Sequence, residues 1–160
     1  MPLLISDANV LIDMEVGALL PLMFELPHEF ATPDVLYADE LQAHHPDLPR
    51  LGLQLRQLDG DGIRSAMDLN RQYRRVSRYD CLALALAVQI NSRLLTGDAS
   101  LREAAREEGV EVAGTLWLVG EMLRCDLLDA RRAKTAFDHM RQSGRRLPWS
   151  DVDGLIRRHQ

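Results

Sequence analysis

Two short stretches of this chain that read as buried strands each end at an acid, and a helix-forming pattern follows each acid at once. Leu3-Leu4-Ile5-Ser6 leads into Asp7, and Arg93-Leu94-Leu95-Thr96 leads through Gly97 into Asp98. A strand that feeds directly into a helix is the repeating unit of a parallel sheet, and the carboxyl ends of such strands open onto one crevice. Acids placed at these ends therefore converge on a common site. Two further acids, Glu40 and Asp80, fall in helical patterns between them.

The alternation continues along the chain. After the strand Leu3 to Ser6, a helix is expected from about Val10 to Leu20 and a second strand near Glu29 to Ala31. Pro33 suits a first helical turn with Thr32 as its cap, so a helix should run through Val35, Leu36 and Glu40 to about Ala43, ended by His44-His45-Pro46. A third strand is expected at Leu53 to Leu58. The turn Asp59-Gly60-Asp61-Gly62 closes it, and a polar helix runs from Ile63 to about Tyr73. Ser77 can cap a helix from Arg78 to Ile90 whose apolar face comprises Leu82, Ala83, Leu86, Ala87 and Ile90. The strand Arg93 to Thr96 follows, then a helix from Ala99 to Glu108 stopped by Gly109, and a short fifth strand from Val110 to Ala113. This order predicts a three-layer α/β fold around a central, mostly parallel sheet of four or five strands.

Beyond Gly114 the pattern turns wholly helical. Leu116 to Leu123 is apolar, a capped helix spans Asp129 to Gln142 and ends at Ser143-Gly144, and a last helix starts at Ser150, where Ser150 and Asp153 match a capping box. The expected division is a core over residues 1–114 and a helical extension over 115–160 packed on the same domain.

Composition excludes several classes. A chain of 160 residues with 46% hydrophobic content can bury one core, and a second catalytic domain is not expected. Cys81 and Cys125 are too few for a disulfide scaffold, and the longest apolar stretch, Cys81 to Val88, falls far short of the ~20 residues of a membrane span. With no charged leader followed by an apolar run, the expected location is the cytoplasm and no membrane contact is expected. The net charge of −5 opposes a nucleic-acid ligand unless basic residues cluster locally. They do so in Arg71, Arg74, Arg75 and Arg78, just before Asp80, with Tyr73 and Tyr79 offering surfaces on which unpaired bases can stack.

Each acid also has a purely structural reading. Ser77 and Asp80 match a capping box, Asp98 between Gly97 and a helix can serve as an N-cap, and Glu40 beside Asp39 can be a solvated helix position. Asp7 is harder to explain that way, because Asp7-Ala8-Asn9 interrupts two apolar runs. Other features carry no chemistry. The Asp59 to Gly62 segment has Asn70 where an EF-hand loop requires Glu, His44 and His45 lack a paired ligand spacing, and no nucleophile elbow or phosphate-cradling glycine loop is found.

Together the acids and their surroundings resemble the PIN domain family, in particular the VapC-like toxin ribonucleases of prokaryotes. ISDANVLI is similar to the family's first-strand motif, PDVLYADEL to its second-helix acid, SRYDCLALALA to its third acid and LLTGDASLREAA to its fourth. The tail from GTLWLV through AFDHMRQSGRRL is similar to a prokaryotic subgroup with a Gly-Thr-Leu turn followed by helices. The resemblance implies metal-binding and catalytic acids at Asp7, Glu40, Asp80 and Asp98, with Asp39 an alternative to Glu40 and with Asn9 and Thr96 as polar neighbours. It implies hydrolysis of single-stranded RNA with Mg²⁺ or Mn²⁺, a small antitoxin partner and a homodimer.

Hard divalent cations take oxygen ligands, which suits such a cluster. Two carboxylates ~5 Å apart repel by about 3 kcal/mol at an effective dielectric of ~20, so a cation that joins them should stabilise the fold. On this view Asp7 and Asp80 hold the main ion, Asp98 holds a second ion or orients water, and Glu40 deprotonates or places that water. Two rivals compete. A phosphatase with an aspartyl nucleophile would want a second Asp where Asn9 stands, and a PIN-like RNA-binding or partner-binding module would need no catalysis.

Overall fold

In the computed structural model, which describes residues 2–160, five strands and ten helices follow one another: β1 (Leu3–Ser6), α1 (Ala8–Val16), α2 (Leu20–Met23), β2 (Glu29–Pro33), α3 (Asp34–Leu36), α4 (Leu48–Leu51), β3 (Gln54–Arg56), α5 (Gly60–Gln72), α6 (Arg78–Gln89), β4 (Arg93–Leu95), α7 (Ala99–Glu107), β5 (Val112–Ala113), α8 (Thr115–Arg124), α9 (Ala130–Gln142) and α10 (Trp149–Arg158). The short α3 runs on into a π-helical stretch, Tyr37–Leu41. All four strand pairings are parallel, in the order β3-β2-β1-β4-β5. The protein is thus a three-layer α/β/α fold with a helical C-terminal tail.

The sheet order fixes where a site can open. From β1 the chain steps to β2 and β3 on one side, then crosses back over β1 to β4 and continues outward to β5. Right-handed crossovers put connections that run in opposite directions on opposite faces, so α1 and α6 cover different sides of the sheet. The crevice lies where that direction reverses, between β1 and β4. There Ser6 stands opposite Leu95, and the Thr32 hydroxyl on β2 donates to the Ser6 carbonyl at 3.0 Å.

The helix α6 packs on β1, β2 and β4 while α5 lies along its outer side. Every residue from Cys81 to Ala87 is consequently buried, so the single apolar face expected of this helix is a helix buried nearly all round. On the α1 side, α8 packs on α1, α2 and β5, and α9 packs on α1. The approach is close at Gly17, where a Cβ would stand 2.6 Å from Met140 Cε and 3.3 Å from Ala136 Cβ. Gly114 is constrained as well, since a Cβ there would meet the Thr96 carbonyl oxygen at 3.1 Å.

Several boundaries differ from the sequence expectation. The first helix stops at Val16, because Gly17 and Ala18, the latter at φ 57°, turn the chain before α2. Thr32 is no cap: β2 extends through Pro33, and the hydroxyl of Thr32 is spent on Ser6. The Asp59 to Gly62 segment is the first turn of α5, where the Asp59 carboxylate accepts from the Gly62 N–H at 2.7 Å. Nor does the Ser150 capping box form. The Pro148 carbonyl takes the Asp151 and Val152 N–H groups at 2.9 and 3.0 Å, which draws the start of α10 back to Trp149.

Because α9 closes on Gly17, a larger side chain there must push the tail off α1. Gly17→Leu is expected to cost about 1–3 kcal/mol. Urea unfolding followed by far-UV dichroism should show this as a lower midpoint of a single transition shared by the whole chain.

Candidate active site

Asp7 leaves β1 and caps α1. Its backbone N–H donates to the Leu95 carbonyl at 3.0 Å, which ties the residue to β4 just past the last β1 pair. Its Oδ1 accepts from the Val10 N–H at 2.9 Å, and its Oδ2 is buried with no hydrogen-bond partner. The residue is 0% exposed. Burial raises its carboxyl from 3.8 to about 7, with the nearby Asp80 and Asp13 charges adding to the rise, while Thr96 and the Val10 N–H oppose it.

Asp80 lies in the first turn of α6, where its own N–H donates to Ser77 Oγ at 3.1 Å. Burial, followed by the charges of Asp98 and Glu40, raises its carboxyl to about 6. Asp98 caps α7, with Oδ2 accepting from the Leu101 N–H at 3.3 Å. The Thr96 hydroxyl accepts from the Asp98 N–H at 3.1 Å, so this buried threonine stands between Asp7 and Asp98. Glu40 sits in the π-helical stretch, its carboxyl raised by partial burial and by Asp39. Asp39 itself is engaged, since its Oδ2 accepts from the Tyr79 hydroxyl at 2.6 Å. Of the two neighbouring acids, Glu40 is the one whose charge bears on Asp80.

The charges of the four acids bear on one another, Asp98 and Glu40 on Asp80 and Asp80 on Asp7. Among the described residues, no three His, Cys, Asp or Glu side chains already enclose a position for a metal ion. The donors nevertheless fit one. They are all carboxylate oxygens, the set a hard divalent cation prefers, and Asp7 Oδ2 is a buried acceptor without a donor.

The arginines divide. Arg71 is paired with Asp68 at 2.9 Å, and Arg78 covers the Tyr79 ring at 4.9 Å and donates to its hydroxyl at 2.8 Å. Arg74 and Arg75 are exposed, with no ion pair among the described residues, and with Tyr73, Ser100, Glu103 and Glu107 they line a pocket of about 270 Å³ between the α5–α6 loop and α7. The Tyr73 hydroxyl donates to Glu108 at 2.6 Å.

Sequence reasoning missed Asp13. It is buried in α1, where Arg145 Nε donates to its Oδ1 at 2.6 Å and the Thr115 hydroxyl to its Oδ2 at 2.7 Å. Arg145 also reaches Asn9, with Nη2 donating to the backbone and side-chain oxygens at 3.2 Å each. The available signal was an acid at a core-facing position of α1, between the buried Leu11 and Met14.

Asp7 and Asp80 bind protons more tightly in the folded chain than in the unfolded one. Their contribution to stability is therefore full below 3.8 and is lost as the pH rises through about 6 and about 7. In chelator, Asp7→Asn is expected to raise the thermal midpoint above about pH 7 and to change it little near pH 4, and Mn²⁺ should stabilise the wild type at the higher pH. Calorimetric scans across that range check this. Equal midpoints for the two proteins at the higher pH would contradict it.

The PIN domain family model matches residues 3–160. No curated protein sequence matches. Among solved structures, a PilT N-terminus domain protein from the hyperthermophilic archaeon Sulfolobus solfataricus P2 is similar at a TM-score of 0.48 and 14% identity, covering 74% of this chain and 90% of that one. Matched over nearly its whole length, the chain belongs to the PIN domain family.

Proposed function

We propose that the protein is a metal-dependent endoribonuclease that cleaves single-stranded RNA, the toxin of a toxin–antitoxin pair. PIN domains are in general nucleases and typically use divalent metal ions. The observation that carries the reading here is the linked set Asp7, Asp80, Asp98 and Glu40 at the strand switch, with Asp7 Oδ2 buried and unpaired.

Asp7, Asp80 and Asp98 would hold Mg²⁺ or Mn²⁺. When bound, such an ion neutralises charge that develops on the phosphate and lowers the pKa of water. Glu40, exposed and with its carboxyl raised, places or deprotonates the attacking water. Thr96 keeps Asp7 and Asp98 in register. Arg74 and Arg75 hold substrate phosphates beside Asp80, with Arg71 and Arg78 in support. The likeness of the acid motifs to VapC-like toxins supports an antitoxin partner, a homodimer and a cytoplasmic setting. Among the described residues no helix is long and apolar enough to cross a membrane.

A second reading, an RNA-binding or partner-binding module without catalysis, is favoured by one observation: the acids do not already enclose an ion position. Incubating the purified protein with a pool of single-stranded RNA and Mn²⁺ or Mg²⁺ separates the two. Cleavage abolished by chelator, and reduced about a hundredfold or more in Asp7→Asn, is expected, since the ion contributes several kcal/mol of transition-state stabilisation. RNA bound but uncut would favour the binding module. Arg74→Glu is expected to weaken RNA binding most at low salt, where phosphate contacts are strongest; filter binding at two salt concentrations reads this, and equal affinity at low salt would remove Arg74 from the groove.

A further inference from the structure

Arg145 lies in the turn after α9, yet its side chain ends beside the first turn of α1. The cause is Asp13. A buried carboxylate costs too much unless its oxygens are bonded, and Asp13 has two partners from the tail, Arg145 and Thr115. With Nε fixed on Asp13, the planar guanidinium presents Nη2 to Asn9, which receives it at both its backbone oxygen and its Oδ1 at 3.2 Å.

This contact determines which way the Asn9 amide faces. A guanidinium has only donors, so the amide atom turned toward Arg145 must be the oxygen. The amide nitrogen, a pure donor, is then left on an exposed side chain with no acceptor recorded among the described residues. Asn9 stands two residues beyond Asp7, exposed in the first turn of the helix that Asp7 caps. An amide nitrogen cannot ligate a cation, but it can donate to a phosphate oxygen. Because Arg145 holds the amide in place before substrate arrives, less freedom is lost on binding.

We infer that Asn9 is a phosphate-binding residue of the site, donating from Nδ2 to a non-bridging oxygen of the RNA backbone, and that Arg145 is the positioning residue that orients it. The inference rests on the phosphodiester reading above. It gives the C-terminal tail a part in substrate recognition, and it places Asn9 on the substrate and not on the metal.

The test measures RNA binding without turnover, using the full chain carrying Asp7→Asn, in chelator, with a fluorescent single-stranded oligoribonucleotide of mixed sequence. Adding Asn9→Ala should weaken binding about tenfold, as expected for a hydrogen bond to a charged group. Arg145→Lys keeps a cation for Asp13 but cannot span Asp13 and Asn9 at once, so it should keep the thermal midpoint close to the parent's and weaken binding to a similar degree. Combining the two should weaken binding no further. In the chain with Asp7 intact, Asn9→Ala should leave Mn²⁺ affinity by titration calorimetry unchanged.

Undiminished RNA binding by Asn9→Ala, additive losses in the double variant, or a loss of Mn²⁺ affinity in Asn9→Ala would each overturn the assignment. Should Arg145→Lys fail to fold, the RNA and Mn²⁺ measurements on Asn9→Ala decide. If the Asp7→Asn parent binds no oligoribonucleotide, the phosphodiester reading itself fails; if the parent binds and Asn9→Ala binds equally, only the present inference does.

Discussion

A carboxylate held out of water at the meeting of two central strands governs the rest of this structure. Asp7 is tied to β4 through its backbone and to α1 through Oδ1, while Oδ2 has no hydrogen-bond partner among the described residues. Leaving one buried polar atom unpaired costs about 1–3 kcal/mol, and more for a charge, so the fold carries a defect at this point. Capping α1 needs only the one oxygen that accepts from the Val10 N–H, so stability alone gives no reason for the second. Local rules broken where acids gather mark the place where structure serves chemistry. The sheet order explains why the spot is where it is: only between β1 and β4 do the following helices diverge to opposite faces and open a crevice.

The structural and chemical readings of the other acids turn out not to compete. Asp7 and Asp98 are N-caps of α1 and α7, and Asp80 occupies the first turn of α6. Each therefore sits at the positive end of a helix dipole, which favours the ionised carboxylate while its neighbours disfavour it. That is how a chain can assemble mutually repelling acids in advance of any cation. The balance is incomplete, since Asp7 and Asp80 still hold their protons up to about 7 and about 6. A cation is the partner that would complete it.

Much of this was legible in the sequence because it is local. β1 matched its expected limits, Ser77 and Asp98 cap the helices that their spacing announced, and strand alternation was enough to place Asp7 and Asp98 at the carboxyl ends of neighbouring strands. What stayed hidden depends on partners far along the chain. The π-helical stretch that presents Glu40 and frees Asp39 for Tyr79 has no periodicity of its own to read. Asp13 looked like any helix acid until the tail folded back to it, and the residue that pairs with it is 132 positions away. Ser150 shows the converse failure, a correct local motif overruled when Pro148 supplied its carbonyl first.

The pairing of Asp13 also bears on how far the core can be considered apart from its tail. Thr115 and Arg145 are the two side chains that bond the Asp13 carboxylate, and both belong to the extension. A chain ending before Thr115 would keep a buried carboxylate and lose both its donors, and removing one partner of a buried ion pair already costs about 3–5 kcal/mol. That is a large share of the roughly 5–15 kcal/mol that holds a domain of ordinary size together. Arg145 also leaves Asn9 with its amide oxygen turned toward the tail. The RNA proposed as substrate would not be attracted by the overall field of a protein with a net charge of −5, so groups within a Debye length of ~8–10 Å of the site would have to do so. The tail brings one cation, Arg145, to the first turns of α1, where it bonds Asp13 and Asn9.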